Sequence, residues 1–261
     1  MSLNLDSRQR AMLAEMGVRV WMPDSVAPAP QSLAVTPPMQ TAAQALAPVM
    51  ASLQAVEGVS NMDWSALQIS VAQCRACELC NARKNTVFGA GVALDQVAQP
   101  VDWMVVGEVP SAAEDELAQP FVGEAGQLLD NMLRACGLSR TEANGKGRVF
   151  VTHVLKCTTP GNRNPKPEEL TQCLPYLQRQ IDLLQPKMIL VLGRFAANAL
   201  LQDTVPDVQS LPLGKLRGQV HRFKQVPVVV TYHPAYVMRN LPEKAKVWAD
   251  LCLAMAHLQT P

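Results

Sequence analysis

Charge is scarce in this chain of 261 residues. Only 17% of them are Asp, Glu, Lys or Arg, against about 25% in an average soluble domain. The signs nearly cancel as well, with 23 basic and 22 acidic side chains for a net charge of +1. That balance excludes a globally basic nucleic-acid binder but leaves room for a local basic groove. Long apolar runs are missing too: no stretch reaches the ~18 consecutive apolar residues of a spanning helix. The N-terminus, MSLNLDSRQR, has no basic start leading into an apolar stretch, so neither a secretory leader nor a membrane anchor is expected. The expectation is a soluble, cytoplasmic protein. What is plentiful is core material, since 48% of residues are hydrophobic. That suffices for one large domain, or a medium one with an appendage.

The appendage is legible at the N-terminal end. Residues 1–66 carry three basic and five acidic side chains, whereas 67–261 carry 20 and 17. Six prolines fall between Pro23 and Pro48 among Ala, Ser, Gln and Thr. Proline removes backbone donors and disfavours helix in the residue before it, so 25–66 reads as an extended, largely disordered linker. Ahead of it, within residues 1–24, Ser7 can cap a short amphipathic helix that ends near Gly17. The remainder, 67–261, reads as one domain.

Within that domain short β-branched apolar runs alternate with helical patterns. The strands are expected at 101–107, 148–156, 187–193 and 226–233, and the helices at 125–137, 167–185, 194–202 and 242–258. Alternation of this kind predicts an α/β fold, a three-layer α/β/α sandwich on a short, mainly parallel sheet. Ligands of such sheets bind beyond the carboxyl ends of the strands. Glu108, Cys157, Asn162 and His233 all follow strand ends, and that coincidence points to a site.

Seven cysteines in an intracellular chain read as metal ligands or buried apolar residues before disulfides, and their odd number argues against a disulfide framework. Cys74 and Cys77 form C-x2-C, extended to C-x2-C-x2-C by Cys80; Cys157 and Cys173 lie far downstream. Four thiolates from two distant segments can wrap a tetrahedral zinc or an iron–sulfur cluster, and the spacing alone does not choose. Cys136 and Cys252 fall beside leucines on helices and read as packing.

GEVPSAAED (107–115), PFVGEAGQLLD (120–130), LKCTTPGNRNPKPEE (155–169) and HPAYVMRN (233–240) stand in one order along the chain. Together with the cysteines, this set resembles the motifs of family 4 uracil-DNA glycosylases, the iron–sulfur members of the uracil-DNA glycosylase superfamily. The resemblance runs from about Cys74 to Leu253. It implies a bacterial base-excision repair enzyme that removes uracil from DNA, acting as a monomer. A 4Fe-4S cluster would be held by Cys74, Cys77, Cys157 and Cys173, with Cys80 a neighbour and a structural role for the cluster.

The resemblance also distributes roles. His233 would donate to uracil O2 as charge builds there, and Glu108 would position or polarise the attacking water. Asn162 would read the base edge, accepting from N3–H and donating to O4, while Phe121 stacks on the flipped ring and Gly107 and Ser111 join the substrate-binding set. Val237, with Met238 as runner-up, would wedge the duplex open, and Arg239 would contact phosphate. Lys215, Arg217, Arg222 and Lys224 either line a DNA groove or coat a solvated hairpin.

Two features depart from the family pattern. Ser111 stands where the first motif normally ends in glycine, adding a Cβ and a hydroxyl that could narrow the pocket, donate a hydrogen bond or blunt catalysis; the expectation is activity at a reduced rate. Residues 7–22 resemble the peptide by which the psi subunit of the bacterial replicative clamp loader docks to its complex, with Trp21 as an apolar anchor. A second reading therefore stands beside the enzyme: a weakened glycosylase fold serving as a replisome or clamp-loader adaptor through that peptide.

Overall fold

The computed structural model describes residues 58–91, 100–141 and 147–259. The expected peptide at 7–22 and most of the expected linker lie outside the described residues.

Among the described residues six strands form one sheet: β1 (Ala90–Gly91), β2 (Trp103–Gly107), β3 (Val149–His153), β4 (Met188–Leu192), β5 (Val220–Phe223) and β6 (Val226–Thr231), in the order β1-β3-β2-β4-β6-β5. The four inner strands are parallel and the two edges antiparallel. Every residue of β2, β3 and β4 is buried, as continuous Val/Ile/Leu runs covered on both faces require. Alternation splits their side chains between two cores. Met104, Val106, Ile189 and Val191 face one apolar layer, and Trp103, Val105, Leu190 and Leu192 the other. The α/β/α expectation therefore holds.

The helices are α1 (Trp64–Gln73), α2 (Ala112–Leu117), α3 (Gly123–Ala135), α4 (Pro167–Leu184), α5 (Arg194–Leu201), α6 (Leu213–Leu216), α7 (Pro234–Arg239) and α8 (Lys244–Gln259). Helix α4 shows why the sequence makes one: Pro167 opens it, Glu168 and Glu169 occupy its first turn, and Tyr176, Leu177, Ile181 and Leu184 share its buried stripe. The four parallel strands and four of these helices fall where the pattern put them, within a few residues, whereas the two antiparallel edge strands were not expected.

The expected domain start at residue 67 is too late. Asp63 caps α1 by accepting from the Ala66 N–H (2.8 Å). Val59 and Trp64 belong to the core, and Trp64 meets Phe88 and Phe150 edge-on at 5.0 and 5.4 Å. Residues 58–66 are therefore part of the domain, because a buried Trp carries more apolar area than a linker can leave outside. In chain order β2 comes first among the parallel strands, with β3 on one side and β4 on the other. The connections diverge there, and the crevice opens beyond its carboxyl end.

Candidate active site

Glu108, the residue after β2, forms one wall of that crevice. Gly193, at φ +106°, has no side chain to fill the place beside it: a Cβ there would lie 2.5 Å from the Glu108 Cδ. Its carboxylate accepts from the Phe195 N–H at 2.7 Å, at the N-terminus of α5. Burial raises the Glu108 pKa, and the backbone donors of Phe195 and Arg194 oppose that rise. The carboxylate thus braces α5 and also lines a cleft of about 200 Å³ shared with Val109, Pro110, Ser111, Asn162, Phe195 and His233.

His233 follows β6 and caps α7. Its Nδ1 accepts from the Ala235 N–H at 3.2 Å, which leaves the ring proton on Nε2. Burial, then the neighbouring His153, lowers its pKa to about 4. The result is a neutral imidazole with a fixed tautomer and an Nε2–H available as a donor.

Phe121 is held in the left-handed region at φ +51°, an unusual place for a bulky residue. Its N–H donates to Glu114, and Arg140 donates to its carbonyl at 3.0 Å and to that of Pro120 at 2.8 Å. The Phe121 ring stacks on two imidazoles, with centroids 4.7 Å from His153 and 5.3 Å from His233. At Gly107, a Cβ would meet His153 Nδ1 at 2.5 Å and Phe121 Cζ at 2.7 Å. Glycine is required there by close approach.

Ser111 is the N-cap of α2, with its hydroxyl accepting from the Glu114 N–H (3.3 Å) and its own N–H donating to the Glu114 carboxylate (2.6 Å). It sits at φ −73°, a conformation open to any residue. Glu114 also pairs with His153 Nε2 at 3.1 Å. Burial alone would raise this carboxylate, but the bonds from His153 and Ser111 hold it at about 2.

Two expectations need correction. Val237 is buried to 2% exposure on the inner face of α7, packed in the second core, so it cannot enter a duplex. Tyr236 and Arg239 are the exposed side chains of that helix and Met238 is half-buried. Asn162 lines the cleft from its exposed lip at φ +54°, the left-handed conformation that Asn tolerates in turns. Arg217 serves the fold instead of a groove: it pairs with buried Asp250 at 2.6 Å and lies 4.4 Å over the Tyr232 ring. Lys224 pairs with Asp182 at 2.7 Å, while Lys215 and Arg222 are exposed on and beside the β5–β6 hairpin.

Sequence reasoning missed Glu114 and His153 as site residues. The Ser111-x-x-Glu114 capping box was the available signal for the first. His153 closes a strand as His233 nearly does, but no spacing marked it.

Cys74, Cys77, Cys157 and Cys173 come together across the chain. The charges of Cys74 and Cys77 reach Cys157, and those of Cys157 and Cys74 reach Cys173. Burial pushes Cys157 up to about 11 and Cys173 up to about 12, so these sulfurs stay protonated unless a cation replaces the proton. Two donors already aim at them: Arg83 Nη1 at Cys157 Sγ (2.9 Å) and the Lys156 N–H at Cys173 Sγ (3.3 Å). Arg83 also donates to the carbonyls of Ala72 and Cys74, tying the two cysteine segments together. Cys80 turns instead toward Asn81, and Cys136 packs in the second core.

The family model described as the uracil DNA glycosylase superfamily matches residues 94–252. A type-4 uracil-DNA glycosylase of Pyrobaculum aerophilum is 38% identical over 196 residues, covering 74% of this chain and 93% of the relative. Type-4 enzymes of Archaeoglobus fulgidus and Thermotoga maritima are 37% and 34% identical, covering 79% and 80% of their own lengths and 64% and 65% of this chain. The chain belongs to the uracil DNA glycosylase superfamily and, within it, to the type-4 group.

Proposed function

We propose that this protein hydrolyses the N-glycosidic bond of uracil in DNA as a base-excision repair enzyme. The observation that carries the reading is His233: a neutral imidazole, its tautomer set by a helix cap, with a free Nε2–H beside an aromatic platform at the strand ends. Uracil must leave the stack, and its ring must bear negative charge as the bond to C1′ breaks. A donor fixed before the reaction stabilises that charge without reorganising, typically worth ~2.7–4 kcal/mol. Neutral imidazole suits this role, because it donates without first being charged in a site that disfavours charge.

Phe121 is the stacking platform, and Glu108, on the cleft wall with its pKa raised by burial, orients the water that attacks C1′. Asn162 meets the nucleotide from the lip of the cleft. Tyr236, exposed at the start of α7, takes the place assigned to Val237 at the duplex, with Arg239 near phosphate.

The donor chemistry of Cys74, Cys77, Cys157 and Cys173 fits a 4Fe-4S cluster. Four thiols line the place, two receive N–H bonds of the kind that stabilise sulfur ligands, and the type-4 relatives support the assignment. When bound, the cluster ties the segment around Cys74–Cys77 to the strand end at Cys157 and to α4. Among the described residues no helix is long and apolar enough to cross a membrane. Nothing in the fold or the relatives supports the adaptor reading.

The test is excision from a single-uracil oligonucleotide by anaerobically purified protein, read as alkali-labile breaks. We expect excision by the parent and a loss of about 10²–10³ in rate for His233→Ala. A cluster-loaded parent without excision overturns the assignment.

A further inference from the structure

We propose that the groove between α4 and α5 holds a nucleotide adjoining the uracil on the same strand, its base against Phe195 and its phosphate at Arg194. The inference rests on the uracil reading above and extends it from the excised base to its neighbour.

The groove encloses about 350 Å³, within the range of sites that take small organic ligands. Helical spacing builds its walls. Leu170, Leu174 and Gln178, four apart on α4, turn one face to it. Arg194 and Asn198 on α5, with Gln202 just past its end, turn the other. Pro165 and Phe195 line both this groove and the cleft that holds Glu108, so the two spaces adjoin.

Phe195 sets the distance between them. Its N–H donates to the Glu108 carboxylate at 2.7 Å, the group proposed to orient water at C1′. A strand whose uridine sugar stands at Glu108 therefore meets the groove at its next nucleotide. The half-buried Phe195 ring and the proline and leucine side chains offer apolar surface to the faces of a base.

The polar groups suit the rest of a nucleotide. Arg194 is the one charged side chain of the wall, and no carboxylate lines it. Its guanidinium lies 5.5 Å from the centre of the Phe195 ring and is exposed. Arginine forks match phosphate oxygens. Among the described residues the side chains of Gln178, Gln202 and Gln209 make no hydrogen bond with one another or with the fold. A carboxamide both donates and accepts, so these groups can meet the edge of any base, and the neighbour is held without being specified. An exposed cation beside the reacting sugar favours an anionic strand over a peptide.

The experiment follows single-turnover excision against protein concentration on three single-stranded oligonucleotides. One carries a single uracil among normal bases; in the others the 5′ or the 3′ neighbour is a tetrahydrofuran residue without a base. The full chain, purified anaerobically, is compared with Phe195→Leu and with Gln178→Ala/Gln202→Ala. For the parent we expect removal of one of the two neighbours to raise the half-saturating concentration about tenfold, the size of one base–aromatic stack, with little change in maximal rate. That dependence should fall below about threefold in Phe195→Leu and shrink by less in the glutamine pair. A parent indifferent to both neighbours overturns the proposal and leaves the groove to another occupant, such as a peptide. The parental dependence kept in both variants overturns it as well. A parent that excises no uracil at any concentration overturns the uracil reading itself, which separates the two failures.

Discussion

At the scale of single residues, His233 gives the sharpest expectation, because its protonation has a sign. Its pKa falls from 6.5 to about 4, so protons favour the unfolded chain. The stability that His233 contributes is fully present above about 6.5 and is lost as pH falls through about 4. Denaturant titrations from neutral to acid pH should show this loss in the parent, and a smaller one in His233→Gln. Excision should have no inflection near 6.5 that disappears in His233→Gln; one that did would mean a charged donor. Ser111 raises a second question, whether it brakes turnover. Its φ of −73° does not call for glycine, and its hydroxyl caps α2. Ser111→Ala should cost about 0.5–2 kcal/mol in denaturant unfolding and Ser111→Gly only a few tenths. If Ser111→Gly also leaves the excision rate unchanged, the serine is a helix cap and not a brake.

At the scale of elements, the site depends on how β2, α5 and the cysteine segments lock together. Gly193 is the joint between β4 and α5. Gly193→Ala puts a Cβ 2.5 Å from the Glu108 Cδ and forces alanine to φ +106°. We expect a loss of about 1–3 kcal/mol together with a fall in excision, since the carboxylate proposed to orient water must move. Unchanged excision in that variant would mean that Glu108 only braces the helix. Arg217 joins the β5–β6 hairpin region to α8 through Asp250, which also accepts from Thr231 at 2.6 Å. Arg217→Met strands a buried carboxylate and should cost about 3–5 kcal/mol by thermal or denaturant unfolding, with salt dependence of DNA binding unaltered. A flatter salt slope would return Arg217 to the DNA surface.

At the scale of the molecule, the core reaches back to Val59 and Trp64 and forward to α8. Of two chains, one beginning at Gly58 and one at Leu67, the shorter should lose stability by at least the ~3–5 kcal/mol typical of removing a buried Trp. Equal melting of both would place 58–66 outside the cooperative unit. The proposed cluster would be the other long-range tie. Protein purified anaerobically should absorb near 400 nm on the iron–sulfur reading. Arg83→Ala should weaken retention of iron by roughly the 1.5–3 kcal/mol of a hydrogen bond to a charged group, measured as iron released against a chelator. Iron held equally by both proteins would show that Arg83 ties backbone segments only.

Much of this was legible along the chain. Unbroken Val/Ile/Leu runs fixed the four parallel strands because a strand covered on both faces has no polar residue to spare. Proline and paired glutamates marked the start of α4, and the cysteine spacing offered candidate metal ligands that the family resemblance narrowed to four. Those properties are local, so sequence order carries them. Only the tertiary structure decided which faces turn inward and which distant groups meet. Val237 and Tyr236 are neighbours on one short helix, and the packing of α7 on the second core buries one and exposes the other. Asn162 and His153 both follow or close β3, yet the chain turns Asn162 out to solvent and leaves His153 sealed against Phe121. Glu114 reaches His153 across 39 positions of sequence, a distance over which no period or motif operates, because burial is a property of what packs around a residue and not of the residues beside it.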